Sequence, residues 1–536
     1  MKEIKELKFE ELTVEQKIGM VTCCLIATGD QAPEYKEFVL ELIRKHALGC
    51  LWVSPTEENF EFIKKAKEIA DYPLLVITDA ESGFGDYKIG KHNALGMTDS
   101  EELAYEFGKV TAIGARQKGY NVICDPVVDI APGKSICGGN VRSLGSDKKK
   151  IAALAKAMAR GMHDGGVLTV AKHYPSASKI PAPGERLIDS HMAETNSPLT
   201  KEKLIDQCLY PYIELIKEGL MDGIMTGHVR LPNIDPDYPA SLSKKVIGII
   251  RELGFDGFAI TDALEMMGIV AKFGDTDSKG LSVENGNDLA LCWTRDVKKG
   301  YDAVYDCYKK GILSDERLDE ATKIVLAAQH KVYEMQPKFT EITEEDKAAF
   351  ERINTDSIFA KTDENVPVSI SKEGKHLFIV LTDNEAQISD EGKVDVDTFS
   401  GGWYYPGKIM NRLDELFPNS KTLALREFPT GWNICCALRE AADYDDVVFV
   451  TYKDGVAYVG REEFTPRIIS TIEAMQVSNQ VSTILHFGNP YTLEALPHIP
   501  RIIIGGCAQK TTMAALEVLA GNYPAKGKLT YDVKFE

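Results

Sequence analysis

The stretch that decides the fold is FDGFAITDALEMM, Phe255–Met267. Its core, GFAITD, is apolar without interruption until it reaches Asp262, and a Leu/Met-rich helix start follows. A strand that alternates apolar and polar residues lies on a sheet with one wet face; a continuously apolar strand is covered on both faces, as in parallel sheets flanked by helices. The same signature recurs outward along the chain, in Gly49–Ser54 (GCLWVS), Pro73–Asp79 (PLLVITD), Tyr120–Asp125 (YNVICD), Val167–His173 (VLTVAKH), Asp222–His228 (DGIMTGH) and Asn287–Trp293 (NDLALCW), with amphipathic stretches between. About seven or eight such units within about 330 residues suit a (β/α)8 barrel better than an open sheet. Several runs end in a polar or charged residue: Asp79, Asp125, His173, His228 and Asp262. In a parallel barrel these ends share one face, where barrel enzymes place their chemistry. The competing reading makes each a loop start or helix cap.

Beyond the barrel the character changes. The stretch 336–366 is charged, opens beside Pro337 and holds one helix-like piece, Glu344–Ile358, so it reads as a connector. From Lys375 a second strand–helix series begins, HLFIVLTD, KTLALRE, DDVVFVTY, QVSTILHFG and RIIIGG. The expected organisation is α/β throughout: an N-terminal (β/α)8 TIM-type barrel over 1–335, a linker over 336–366, and a C-terminal α/β sandwich over 367–536.

Bulk properties narrow the partners. The 536 residues carry a formal net charge of -19, which repels phosphate backbones and anionic membrane surfaces, so neither nucleic acid nor membrane is expected. No run approaches the roughly 20 apolar residues of a membrane span. The N-terminal MKEIKELKFEELTVEQKIGM has neither a secretory nor a transit pattern, and a cytoplasmic location is expected. Eleven cysteines without a CxxC pair read as free, buried thiols rather than a zinc site. Oligomeric state is not readable.

Three elements can carry chemistry. Asp262, delivered by an apolar strand and partly shielded, is placed to attack an anomeric carbon; the alternative is a helix N-cap. VAKHYP, Val170–Pro175, offers Lys172 and His173 as donors to sugar hydroxyls, with Lys172 also able to keep nearby carboxylates ionised; the alternative is a surface lysine and a satisfied core histidine. Asp189-Ser190-His191 follows in a long loop. Residues two apart in extended chain point the same way, so Asp189 can orient His191, and histidine is a competent acid and base near neutrality; the alternative is a solvated turn.

In order along the chain, ITDAESG (Ile77–Gly83), ALGMTDSEELAYEFG (Ala94–Gly108), DPVVDI (Asp125–Ile130), NVRSLGSD (Asn140–Asp147), AKHYP, DSH, MTGHV followed by PASLS, and FDGFAITDALEMM resemble the motifs of glycoside hydrolase family 3. The resemblance implies a barrel followed by an α/β sandwich, and neither metal nor organic cofactor. It puts Asp262 in the position of the family nucleophile. It makes Asp79, Arg142, Lys172 and His173 grips on the innermost sugar, and His228 a further site-lining residue. The DSH element is similar to the β-N-acetylglucosaminidase branch, which implies His191 as acid/base, Asp189 as its orienter, and a terminal β-linked N-acetylglucosamine as substrate. The segment KHYPSASKIPAPGERLIDSH is longer than that branch's KHFPGHG with its short spacer, and ESGF stands where EGGR is usual. Alternatives kept open are a β-glucosidase or β-xylosidase using Glu462 or Glu463, a β-N-acetylglucosaminide phosphorylase, and a non-catalytic sugar-binding protein.

Overall fold

The computed structural model describes residues 4–29, 31–131, 133, 141–177, 188–382, 387–388, 394–395, 404–454, 463–478 and 480–535. They divide into two compact units: 1–87 with 104–130 and 148–347, and 88–103 with 131–147 and 348–536.

The first unit is an eight-stranded parallel barrel. Its strands are β1 (Thr22–Ile26), β2 (Cys50–Val53), β3 (Leu75–Thr78), β4 (Val122–Ile123), β5 (Leu168–Tyr174), β6 (Gly223–Thr226), β7 (Phe258–Thr261) and β8 (Ala290–Cys292), hydrogen-bonded in the order β7-β6-β5-β4-β3-β2-β1-β8. The ring is nearly closed: the β7–β8 seam is a single parallel bridge, Ile260 to Leu289, reinforced by Leu291 N donating to Thr261 Oγ1 at 3.0 Å. All seven apolar runs quoted above contain one strand each. The eighth strand, β1, is TCCLI, whose cysteines behave as the small hydrophobes they are when reduced.

One face of each strand fills the barrel. Cys23 and Leu25, Cys50 and Trp52, Leu75 and Ile77, Leu168 and Val170, Phe258 and Ile260 form one buried cluster at period two. The helices between strands start where a hydroxyl or carboxylate accepts an otherwise orphaned N–H: Thr56 from Asn59, Thr200 from Lys203, Ser243 from Val246, Asp296 from Lys299, Ser314 from Arg317. At the strand starts, buried carboxylates act as ties. Asp222 accepts from Thr169 N at 2.8 Å and His163 Nε2 at 2.7 Å; Asp288 accepts from Ala259 N at 2.8 Å and is held by Arg251 and Arg317 at 2.9 and 2.8 Å.

The second unit holds a six-stranded sheet. With β9 (Phe359–Thr362), β10 (His376–Leu381), β11 (Gln387–Ile388), β12 (Val394–Asp395), β13 (Lys421–Leu425), β14 (Asp446–Lys453), β15 (Val481–Gly488) and β16 (Arg501–Gly505), its order is β13-β10-β14-β15-β16-β9, while β11 and β12 pair antiparallel apart from it. All ladders of the large sheet are parallel except β9 against β16. Two clusters of buried residues cover its two faces, as expected of an α/β sandwich. The helix expected over Glu344–Ile358 runs over Glu344–Asp356, and β9 follows it with mostly half-buried side chains, too weak a pattern to read as a strand beforehand. Segment 88–103 is tied into this unit by Lys528 N donating to Met97 O at 2.8 Å, and Ala131 and Ser143 by Tyr491 Oη and Tyr531 Oη donating to their carbonyls, both at 2.6 Å.

Candidate active site

The barrel's interior face, carried one period past the strand ends, supplies the site. Phe258 and Ile260 point inward on β7, and Asp262 is the next residue in that register; Ile77 is followed by Asp79 after β3, and Val170 by Lys172 on β5. The arrangement that fills the core with apolar side chains therefore aims these three polar ones into the C-terminal mouth.

Asp262 is partly buried and lies five residues ahead of the next helix, Met267–Phe273, whose N-cap residue is Met266. It does not cap that helix. Its backbone N donates to Thr226 O at 2.9 Å, and its Oδ1 accepts from Ala263 N at 2.8 Å. Below it runs a buried network: His228 Nε2 to Ala263 O at 2.9 Å, His228 Nδ1 to Ser241 Oγ at 2.8 Å, Asn287 Nδ2 to Ser241 O at 2.7 Å, and Thr226 Oγ1 to Asn287 Oδ1 at 2.7 Å. A carbonyl only accepts, so Nε2 carries the proton and Nδ1 accepts from Ser241, the pattern of a neutral ring. Burial pushes the His228 pKa down accordingly; the negative charge of Asp262 works the other way, and the neighbouring His191 and His173 add to the lowering. His228 thus feels the charges of Asp262, His191 and His173.

Lys172 is buried, and its ammonium lies between Asp79, in a short ion pair, and Glu81 at 2.7 Å. The Glu81 side chain is nearly buried, whereas that of Asp79 is 48% exposed, so Asp79 keeps an open side while anchored from beneath. The β5–β6 register shifts between Lys172 and Tyr174, a bulge that re-aims the side chains around it. His173 donates Nδ1–H to Asp129 Oδ2 at 2.9 Å and its backbone N–H to Asp129 Oδ1 at 3.0 Å; Ser176 Oγ completes that carboxylate's shell at 2.7 Å.

The DSH element is ordered by its own hydrogen bonds. Asp189 is buried, and its Oδ1 accepts both from His191 Nδ1 at 2.8 Å and from His191 N at 2.9 Å. The paired carboxylate fixes Nδ1 as protonated, which leaves Nε2 as the atom for proton traffic. The loop meets the segment after Asp262: Met267 N donates to His191 O at 3.1 Å and Gly268 N to Ser190 O at 3.3 Å.

Arg142 is half-buried and belongs to the second unit, where its carbonyl accepts from His92 Nδ1 at 3.1 Å. Asp125 is fully buried and closes a turn onto Val127 N at 3.0 Å, the loop-start reading. Glu462 lies outside the described residues, and Glu463 is exposed in the second unit. Among the described residues the only cluster of potential metal ligands is Glu6, His330 and Glu334, exposed and sharing no residue with this site.

A parallel barrel with an acid at the end of β7 and an Asp–His pair on the loop after β5 makes a specific pattern, and residues 13–328 match the Glycosyl hydrolase family 3 N terminal domain. The chain belongs to glycosyl hydrolase family 3. Among curated proteins, beta-hexosaminidase LpqI of Mycobacterium tuberculosis (strain ATCC 25618 / H37Rv) is 31% identical over 217 residues, 38% of this chain and 53% of the relative. The chain therefore spans about half the length of that protein. Beta-hexosaminidase of Idiomarina loihiensis is 29% identical over 248 residues, 44% of this chain and 72% of the relative. A family 3 beta-N-acetylglucosaminidase from Paenibacillus sp. str. FPU-7 superposes with TM-score 0.79 at 24% identity, covering 98% of this chain and 100% of that one. Beta-glucoside phosphorylase BglX superposes with TM-score 0.76 at 23% identity, covering 98% and 94%. At these identities the two structures share the fold.

Three carboxylates of this family 3 chain were not singled out by the sequence reading: Glu81, Asp129 and Glu265. All three stood inside quoted motifs, two residues after Asp79, four after Asp125 and three after Asp262. Period-two spacing after a strand was the available signal for Glu81. Glu265 accepts from Trp293 N at 2.6 Å and pairs with Lys279 at 3.1 Å, which fixes the turn after Asp262 to the end of β8; burial raises its pKa against that lysine's pull.

Proposed function

We propose that this family 3 chain is a retaining exo-β-glycosidase that hydrolyses terminal β-linked N-acetylglucosamine by double displacement. The observation that carries the reading is the joining of two catalytic parts: Asp262 at the end of β7, and the Asp189–His191 pair whose loop hydrogen-bonds to the segment six residues further on. The beta-hexosaminidase relatives support the sugar.

In the first step an Asp262 carboxylate oxygen attacks C1. The C1–oxygen bond to the leaving group breaks, and His191 Nε2–H gives its proton to the departing oxygen. Asp189 holds the ring and stabilises the imidazolium from which that proton comes. In the second step His191 takes a proton from water, the water oxygen bonds to C1, and the bond to Asp262 breaks, so the net change is addition of one water. Asp79, half open and braced by Lys172, accepts from sugar hydroxyls, with Lys172 and His173 completing that grip. His228 acts from beneath: it donates to Ala263 O and so fixes the backbone on which Asp262 stands.

The test uses nitrophenyl β-N-acetylglucosaminide, glucoside and xyloside. The N-acetylglucosaminide is expected to be the best substrate, and Asp262→Asn to lower kcat by at least about 10³-fold, because covalent catalysis at that carboxylate is lost. A slow fluorinated substrate should leave its mass on the Asp262 peptide. Undiminished cleavage by Asp262→Asn refutes the assignment. Preference for the glucoside refutes the substrate, and a sugar phosphate formed only when phosphate is present refutes hydrolysis.

A further inference from the structure

The acid/base loop has to be held at a fixed place relative to Asp262, and the way it is held is visible. The helix Met267–Phe273 has no side-chain cap, so its first N–H groups need partners from elsewhere. Two of them are taken by carbonyls of the DSH loop: Met267 N by His191 O at 3.1 Å and Gly268 N by Ser190 O at 3.3 Å. Within the loop, Met192 N and Ala193 N both donate back to Asp189 O, at 2.9 and 3.1 Å, which winds residues 189–193 into one compact turn. That turn sits directly on Gly268. A β-carbon added at Gly268 would lie 2.8 Å from Ser190 O and 3.0 Å from Ala193 O, both main-chain atoms of the turn. Gly268 is buried in an ordinary helical position, so it is the lack of a side chain rather than an unusual backbone angle that glycine supplies.

We propose that Gly268, with the Met267 N–H, is the seat that positions the Asp189–His191 loop. These are positioning residues: they touch no reacting atom. They set the proton donor over the scissile bond by tying it to the same short stretch, 262–268, that carries the nucleophile. The proposal rests on the acid/base role given to His191 above, and the test separates the two.

Gly268→Ala keeps the helix, since alanine is the better helix former, and forces the turn of residues 189–193 to lift. Met267→Pro is an independent probe. Position 267 is the first helical residue, where proline is well accepted, and Met266 at φ -64°, ψ 138° already has the extended backbone that a following proline requires. This change removes only the N–H that holds His191 O.

The readout is kcat/KM for β-N-acetylglucosaminides with leaving groups of different basicity. An alkyl or methoxyphenyl leaving group needs the proton from His191; a dinitrophenyl group leaves without it. His191→Ala is expected to lose about 10²- to 10⁴-fold on the basic leaving groups and little on dinitrophenyl. Gly268→Ala and Met267→Pro are expected to show the same selective pattern at about 10- to 100-fold, the scale of a misplaced catalytic group. If His191→Ala is selective but the two seat variants are unchanged, or lose equally on both kinds of leaving group, the seat is wrong and the dyad stands. If His191→Ala itself shows no selectivity, the acid/base assignment falls and takes the seat with it.

Discussion

Replacing Lys172 by methionine tests the charge arrangement beneath the proposed sugar site. The methionine fills much of the lysine volume and removes the ammonium. Two carboxylates lose this ammonium, and they do not count equally. Glu81, whose side chain is 10% exposed, forms a buried pair with Lys172 at 2.7 Å. Breaking a pair of that kind from one side costs about 3–5 kcal/mol, because the remaining charge stays out of water. Asp79 is 48% exposed, so water screens its loss and its share is at most about 1 kcal/mol. The expected loss for the barrel unit is therefore about 3–5 kcal/mol, most of it owed to Glu81. A double-mutant cycle isolates this share: Glu81→Gln added to Lys172→Met should restore at least about 2 kcal/mol, because it removes the stranded charge. Urea unfolding followed by tryptophan fluorescence gives both numbers. A Lys172→Met midpoint matching the wild type would refute the reasoning, and so would a double variant weaker than Lys172→Met alone.

Two other outcomes follow. Asp189→Asn keeps the shape beneath His191 but removes the negative charge that fixes the protonated Nδ1 and balances the imidazolium; kcat should fall about 10²- to 10⁴-fold on substrates with basic leaving groups while the fold persists, and full activity would exclude the dyad. His486 is fully buried between Thr451 Oγ1 and Asn489 O, each at 2.9 Å, and burial, with the charge of Lys453 adding, pushes its pKa down to about 4 against a bond to Asn489 that pulls it up. The folded second unit refuses a proton that the unfolded chain accepts below its ordinary 6.5, so this contribution is complete above 6.5 and is lost as pH falls toward about 4. The expected loss is about 1.4 kcal/mol per pH unit, and about 3 kcal/mol in all. Urea midpoints of wild type and His486→Gln between pH 7 and pH 5 check it; equal pH slopes would refute it.

The sequence carried the barrel because parallel strands covered on both faces are uninterrupted apolar runs, and seven of the eight could be picked out that way. The strand β1 escaped because its centre is Cys23 and Cys24, residues whose burial is not announced by bulk. The strand β9 escaped for the opposite reason: it is an antiparallel edge with mostly half-buried side chains, inside a charged stretch. Cysteine burial was legible for most of the described thiols, but Cys436 is exposed and Cys435 half-buried, since both lie on one amphipathic helix where adjacent residues cannot both face inward. For Asp262 the helix-cap alternative was a fair competitor on sequence, and the four residues between it and Met267 remove it. The Asp189–His191 bond was expected of an extended segment and forms in a turn instead, where a side chain two residues upstream reaches both the backbone and the ring of its target. The partner of His173 was not legible: Asp129 is forty-four residues away in sequence, and only the closure of β4 against β5 brings it near.

What the barrel adds to the motifs is a common frame. Each strand presents its core-filling side chains at every second position, and the residue two steps past the last of them keeps that direction whatever its chemistry. Asp79, Lys172 and Asp262 occupy those steps on β3, β5 and β7, three alternate strands, which is how the side-chain layers of such a barrel are built. They therefore form one more layer above the apolar ones, made of two carboxylates and an ammonium. A polar layer of this kind has to satisfy itself from the loops, since no strand remains beside it. Glu81 does so for Lys172, Ala263 N for Asp262, and His228 for the carbonyl next to it. The loop after β5 stands apart from that layer by origin, and it is tied to the strand-borne groups through Met267 and Gly268. Asp262 is thus fixed by the barrel's geometry, and the Asp189–His191 pair by a contact that one added methyl group would break.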